Sequence, residues 1–351
     1  MTNPLIQRFP DEHYTVIFNP TNGFFARIED DGFPEPSCSA HGPELIDIAI
    51  TNWCDHGCAR CYRNSSPNGF HMSLRDYESI IQQAAALGTL QVALGGGNPN
   101  QHPEFGEILE ITRAKYGIVP NYTTNGRGLS ADILSSSAKY CGAVAVSAYP
   151  PYGEMEAALR QLLDKGIRTN IHFVLDANHV DKAIEWLRNP PPIFHEVNAI
   201  IFLNYKPVGR LEESILLNHS PKVEEFFSII ADGKFPFRIG FDSCMVSGLV
   251  SYLPKVSPSL YDACEAGRFS MFVSERMEAY PCSFMESHTD GVPLTEHNML
   301  EIWCESDLFC ETRKMINDEH CPDCNHKATC LGGCPAFNEI NLCRSDAAPA
   351  T

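Results

Sequence analysis

No stretch of this chain approaches the ~20 consecutive apolar residues that a membrane-spanning helix needs, so the sequence predicts no membrane partner. Residues Met1 to Pro10 lack the basic start and apolar core of a secretory signal, which predicts a cytoplasmic protein. Positive charge is scarce: 26 Lys and Arg stand against 44 Asp and Glu, for a net charge of −18. No local basic run relieves that imbalance. Such a surface repels phosphate backbones, which argues against nucleic acid as a partner and suits a basic peptide. Low-complexity segments are absent, as are repeats beyond a β-α rhythm. The apolar fraction of 44% is ordinary for a globular protein, and 351 residues suffice for one large domain and a smaller one.

Cysteine is what the chain has in excess, with 15 residues. The count is odd and the spacings are short and clustered, so disulfides do not account for it. Cys54, Cys58 and Cys61 stand at C-x3-C-x2-C spacing directly after the apolar run Leu45 to Ile50. Three thiolates on one tight loop can hold three irons of a cubane cluster and leave the fourth open. An open iron can chelate a small molecule, whereas a fully ligated cluster only carries electrons. A second concentration lies near the C-terminus: Cys321-Pro322-Asp323-Cys324, Cys330, Cys334-Pro335 and Cys343, with Cys264 and Cys282 upstream. On spacing alone zinc competes there, since C-x2-C pairs bind it readily. Cys334-Pro335 is similar to ferredoxin loops.

From Glu44 to about Arg210 short apolar runs alternate with amphipathic stretches, the mark of β-α units and a parallel sheet. Strands are predicted at Leu45 to Ile50, Leu90 to Leu94, Ile118 to Tyr122, Ala143 to Ser147, Arg168 to Leu175 and Ala199 to Asn204. Helices are predicted from the Ser73 cap to Leu87, at Glu104 to Lys115, Glu154 to Lys165, His179 to Arg188 and Val223 to Ala231. The fold class is therefore α/β, and six units are too few for a closed eight-fold barrel and suit a partial (β/α)6 barrel. Residues 1–43 read as an extension with a hairpin (Tyr14 to Phe18, Phe24 to Ile28) turned at Thr21-Asn22-Gly23. Residues 44–232 read as the barrel, and 233–351 as a small domain too poor in periodic apolar sequence to hold together without staples. The glycine-rich and cysteine motifs all fall at carboxyl ends of strands, where parallel α/β folds bind ligands.

The loop Cys54 to Cys61 resembles the signature of the radical S-adenosylmethionine (SAM) enzymes, and the resemblance spans most of the chain. It implies that the three thiolates hold a [4Fe-4S] cluster whose open iron takes the amino and carboxyl groups of SAM. Reductive cleavage of SAM then yields a 5′-deoxyadenosyl radical that abstracts a substrate hydrogen. Gly95-Gly96-Gly97-Asn98-Pro99 is similar to the family's stretch that receives the methionine amino group, with Asn98 where Glu is usual. An amide carbonyl at Asn98 still accepts ammonium protons. Thr123-Thr124-Asn125-Gly126 and Ser147 occupy strand ends that relatives place near the ribose and carboxylate, and Val174 reads as a core valine ahead of an adenine contact. Arg60 replaces the usual aromatic residue before the third cysteine; its guanidinium suits stacking on adenine, and Tyr62 is the substitute aromatic.

The C-terminal cysteines look like the family's SPASM extension, which carries two auxiliary [4Fe-4S] clusters and so implies three in all. The likeness extends to Tyr280-Pro281-Cys282, Ile302-Trp303, Gly332-Gly333-Cys334-Pro335, and Pro207-Val208-Gly209-Arg210 closing the barrel. By that resemblance Cys264, Cys282 and Cys334 bind the first auxiliary cluster, with Cys244 ahead of Cys304 and Cys310 as fourth ligand. Cys321, Cys324, Cys330 and Cys343 bind the second. Met277 stands in place of a usual glycine, so a different hairpin is expected there.

SPASM relatives imply oxidative modification of a ribosomal peptide or protein side chain, a crosslink or a related product, with a flavodoxin- or ferredoxin-type reductant. The 43 leading residues look short for a leader-binding domain, so the leader is expected to bind elsewhere. The alternative is a dehydrogenase or epimerase of a small molecule such as a sugar or aminocyclitol. An electron-carrying scaffold leaves the open-iron spacing unexplained. Cys38 and Cys141 read as ordinary buried thiols, against a role as hydrogen donor. His172, Asp176, Tyr205 and Asp242 stand at strand ends, more structural than catalytic, and no acid or base is assigned.

Overall fold

Every one of the six apolar runs forms a parallel strand in the computed structural model, which describes residues 3–210, 215–317, 321 and 323–343. Pro322, the second residue of the last C-x2-C pair, lies outside the described residues. The chain opens with strands β1 (Leu5–Phe9), β2 (Tyr14–Phe18) and β3 (Phe25–Glu29) in a separate antiparallel sheet. The hairpin is present, and β1 adds a third strand that the sequence reading did not include. Tyr14, Val16 and Phe18 pack on Leu90 and Val119, so this sheet covers the amino ends of the barrel strands.

The barrel runs β4 (Leu45–Thr51), α1 (Leu74–Ala86), β5 (Gln91–Gly96), α2 (Phe105–Glu110), β6 (Val119–Thr124), α3 (Ala131–Tyr140), β7 (Val144–Ser147), α4 (Gly153–Asp164), β8 (Thr169–Leu175), α5 (Val180–Arg188), β9 (Ala199–Asn204) and α6 (Pro221–Asp232). Ser73 caps α1 by accepting from the Asp76 amide, and Gly88 follows with φ +79°, as its cap and stop residues predict. Helix α3 went unread because Ser135, Ser136 and Ser137 mask its apolar period. It is capped by Ser130, and Ser137 is buried against the Tyr122 hydroxyl.

The sheet continues past these six strands. After α6 come β10 (Arg238–Phe241), α7 (Val246–Tyr252), β11 (Ser270–Val273), β12 (Glu278–Tyr280), β13 (Val292–Pro293), α8 (Met299–Glu305), α9 (Asp307–Asn317) and α10 (Lys327–Cys330). One ten-stranded sheet has the order β10-β9-β8-β7-β6-β5-β4-β11-β12-β13. Strand β10 joins β9 in parallel, β11 joins β4 in parallel, and β12 and β13 turn antiparallel. Both added parallel strands are only four residues long, too short for a periodic signal.

Two expectations are corrected here. The hairpin between β11 and β12 forms despite Met277, which takes the left-handed φ of +65° that a glycine would adopt. The C-terminal third also buries more apolar surface than its sparse pattern promised. Met299, Ile302, Trp303 and Phe309 are at most 1% exposed and belong to the same core as the barrel strands. The Trp303 indole donates to the Ser39 carbonyl at 2.7 Å, tying α8 to the segment before β4.

The strand rows differ by side. On the helix side Ile46, Ile48, Val92, Leu94, Val146, Ile171 and Phe173 are at most 1% exposed. On the inner side Asp47, Ala93, Gly95, Thr123, Ser147, His172 and Val174 are only partly buried. That partly exposed inner row lines a trough towards the carboxyl ends of the strands.

Candidate active site and cysteine groups

The three-cysteine loop leaves β4 at Thr51 and is held from the far end of the barrel. Arg210, just past β9, donates from its guanidinium to the carbonyls of Cys58 (2.6 Å) and Ser65 (2.9 Å), and from its amide to Cys61 (3.1 Å). Gly209 has φ +70°, and a Cβ there would lie 2.4 Å from the carbonyls of Cys61 and Tyr62. Pro207 to Arg210 therefore lies flat against the cysteine loop and closes the barrel over it.

Cys54 is buried, and Cys58 and Cys61 are half-buried. Burial, then the neighbouring Cys61 and Cys54 thiolates, push the Cys58 thiol up to about 11. N–H groups already point at the sulfurs: the Ser65 amide at Cys61 (3.4 Å) and the Asn125 side chain at Cys54 (3.8 Å). Mutually repelling thiolates with amide donors aimed at them fit the cationic core of an iron–sulfur cluster. Among the described residues no three Cys, His, Asp or Glu side chains stand close enough to hold a single metal ion as they are. The fit therefore rests on this donor chemistry.

The three glycines beside the loop are not equivalent. A Cβ on Gly96 would come within 2.0 Å of the Thr51 carbonyl, and one on Gly97 within 1.9 Å of Trp53. Those two let β5 press against the cysteine loop. A Cβ on Gly95 would meet nothing within 4 Å, so Gly95 leaves open space on the inner row. Asn98 departs from its expected role. It is 1% exposed, and its amide oxygen already accepts from Thr124 (3.0 Å) and from the Asn125 amide (3.1 Å). Its NH2 donates to the Arg127 carbonyl (3.0 Å). Asn98 thus braces the Thr123–Gly126 turn, and Asn125 is held facing Cys54.

Arg60 is also engaged, with Asp176 at 3.3 Å. Asp176, 2% exposed, further accepts from the Asn178 and His179 amides and from the His179 ring, so it organises the start of α5. His172 meets Thr123 at 3.3 Å, and burial lowers its pKa to about 4, so it is neutral at physiological pH. Tyr205 is buried at the end of β9, and Asp242 pairs with Lys206.

Tyr62 and Tyr149 are 39% and 40% exposed by area. Burial nevertheless raises both phenols, Tyr62 to about 12. Both side chains thus present area to the trough while their hydroxyls stand among other groups of the protein. Tyr149 stands near Ser147, Cys58 and Cys61. Asp47 stands deeper on the inner row, and burial, then Glu265, raise its carboxyl to about 7. Sequence reasoning missed Asp47 and Tyr149. The alternation of Leu45-Ile46-Asp47-Ile48-Ala49-Ile50 carried the signal for Asp47, since its odd positions share the inner face.

The C-terminal cysteines form two groups. Cys244 and Cys334 share an apolar cluster with Phe284, and Cys264 and Cys282 share another. The two pairs meet: burial, then Cys244, push the Cys282 thiol up to about 12, and Cys264 is raised by burial, Cys244 and Cys282. Cys244 packs with Cys334 and lies near enough to Cys264 and Cys282 to raise both. In the second group burial, then Cys343, Cys321 and Cys324, push Cys330 up to about 12. The His326 amide donates to Cys324 at 3.4 Å. Cys304 lies instead with Cys38 and Cys310 near the surface, and Cys141 sits ahead of β7 at the opposite end of the barrel from the loop. Tyr62, one residue past Cys61, meets Phe284, two past Cys282, with ring centroids 5.0 Å apart. That contact ties the loop after Cys61 to the segment after Cys282. No described helix is long and apolar enough to cross a membrane.

Known proteins align with this arrangement. Residues 48–148 match the Radical SAM superfamily. The PqqA peptide cyclase of Ruegeria pomeroyi is 31% identical over 339 residues, covering 88% of this chain and 86% of the cyclase. The mycofactocin maturase MftC of Mycobacterium ulcerans is 21% identical over 324 residues, covering 84% and 83%. Streptococcus suis SuiB, solved bound to S-adenosylmethionine, superposes with a TM-score of 0.73 at 16% identity over 99% of both chains. SuiB bound to its precursor peptide SuiA gives the same TM-score at 14% identity.

Proposed function

Since the chain belongs to the radical SAM superfamily and is an enzyme of the SPASM-bearing kind, we propose that it oxidatively modifies a ribosomally made peptide. The carrying observation is the Tyr62–Phe284 contact, which ties the loop after Cys61 to the segment after Cys282. A substrate in the trough lies within reach of both. The extended likeness to two peptide-modifying enzymes gives the substrate class, and the net charge of −18 suits a basic peptide.

In this reading Cys54, Cys58 and Cys61 hold a [4Fe-4S] cluster, Cys244, Cys264, Cys282 and Cys334 a second, and Cys321, Cys324, Cys330 and Cys343 a third. When bound, the first supplies the electron that cleaves SAM to a 5′-deoxyadenosyl radical. The chain's own residues do the positioning. Arg210 and Gly209 fix the loop, and the backbone carbonyls of Gly95, Gly96 and Gly97 receive the ammonium of SAM in place of the occupied Asn98. Asn125 donates toward the Cys54 sulfur, while Ser147, Tyr62 and Tyr149 wall the trough beside Cys58 and Cys61. A flavodoxin- or ferredoxin-type protein serves as reductant.

Anaerobic incubation of the reconstituted protein with SAM, dithionite and peptides encoded beside its gene tests this reading. The expected result is 5′-deoxyadenosine together with a peptide two hydrogens lighter. Deoxyadenosine with every such peptide unchanged would favour a small-molecule substrate instead.

A further inference from the structure

Lys206 is buried in a place where stability does not explain it. It follows β9, is 6% exposed, and its ammonium pairs with the carboxylate of Asp242 just past β10. Removing two charges from water costs several kcal/mol per ion, and apolar replacements of such pairs are often as stable. The surroundings suggest another use for the charge. The ammonium lies 4.7 Å from the centre of the Phe284 ring. Phe284 stands two residues past Cys282 and shares an apolar cluster with Cys244 and Cys334. The neighbouring Asn204 side chain donates to the Cys244 carbonyl at 3.4 Å and to Ile340 at 2.9 Å, fixing the end of β9 against the cysteine segment.

The ammonium lies over the Phe284 ring, on the side of the pair that packs with Cys244 and Cys334. One carboxylate oxygen of Asp242 is turned away from Lys206 and accepts from the Asn204 amide at 3.1 Å. The positive end of the pair therefore faces the quartet.

We propose that Lys206 holds a fixed positive charge against Cys244, Cys264, Cys282 and Cys334 and thereby raises the reduction potential of the iron–sulfur cluster bound there. This rests on the reading that the quartet binds such a cluster. A cluster held by four thiolates is anionic and gains a further negative charge on reduction, so a nearby cation favours the reduced form. Low dielectric strengthens that preference, and local charge is one of the levers that set these potentials.

The test uses the full chain with Cys54, Cys58 and Cys61 replaced by alanine, reconstituted anaerobically with iron and sulfide and titrated potentiometrically by electron paramagnetic resonance. Lys206→Met should lower one of the two remaining potentials. Asp242→Asn, which keeps an oxygen for the Asn204 amide, should raise that same one. Lys206→Arg should leave it near the parent value, and the other cluster should not move in any variant. Shifts of the same sign in both variants, or none at full iron content, overturn the inference. If Lys206→Met loses its iron, the direction seen in Asp242→Asn decides. A parent that binds no iron at the quartet overturns the cluster reading and the inference with it.

Discussion

At the scale of single residues, three consecutive glycines do different work. Gly96 and Gly97 make room for backbone, because the atoms a Cβ would strike are the carbonyls of Thr51 and Trp53 and cannot swing aside. Gly95 makes room on the inner row, where nothing stands within 4 Å. Gly97→Ala should therefore lose most of the iron carried by the loop trio, while Gly95→Ala should keep it. The second variant should bind SAM about tenfold more weakly, a loss of ~1.4 kcal/mol. Iron analysis and equilibrium dialysis with labelled SAM separate the two effects. Equal iron loss in both variants would remove the distinction.

At the scale of elements, one arginine adds to the apolar packing that joins the amino-terminal sheet to the barrel. Arg27 on β3 pairs with Glu35, Glu44 and Glu265 and lies 3.6 Å over the Phe269 ring. Burial raises the Glu44 carboxyl to about 7 even with Arg27 beside it, and Glu265 is raised as well. A folded-state pKa above the unfolded value makes Glu44 most favourable to folding below its ordinary range. That contribution is lost as pH rises through 7. Arg27→Met leaves the carboxylates without their cation, at a cost of about 3–5 kcal/mol at pH 8. Protonation relieves the buried charge, so the cost should shrink at pH 5.5. Urea denaturation at the two pH values measures both numbers, and a pH-independent loss would mean that Arg27 acts by packing alone.

At the scale of the whole molecule, the cysteine-rich third is not one unit hung on a barrel. Strands β11 to β13 extend the barrel sheet, and Trp303 and Phe309 sit in the barrel's core. Residues 321 and 323–343 bury only Phe337, Ile340 and Leu342 among large apolar side chains and carry Cys321, Cys324, Cys330, Cys334 and Cys343. Chelation of iron should therefore abolish amide protection in 323–343 while α8 and the first turns of α9 stay protected. Hydrogen exchange read by mass spectrometry shows this directly, and loss of protection in α8 would contradict it.

Much of this protein was fixed by local pattern. Period-two alternation and capping residues define β4 to β9 and most of their helices, because each strand is buried on its helix side. The C-x3-C-x2-C loop and the glycine run were legible because both are continuous and end a strand. The remainder depended on partners far apart in sequence, such as Arg210 on Cys58, Tyr62 on Phe284 and Lys206 on Asp242. Asn98 shows the same division: its position was readable, but only the folded neighbours Thr124 and Asn125 show that its oxygen is already taken. Spacing along a chain specifies which atoms can bind a ligand, whereas burial and long-range pairing decide which of them remain free to do so.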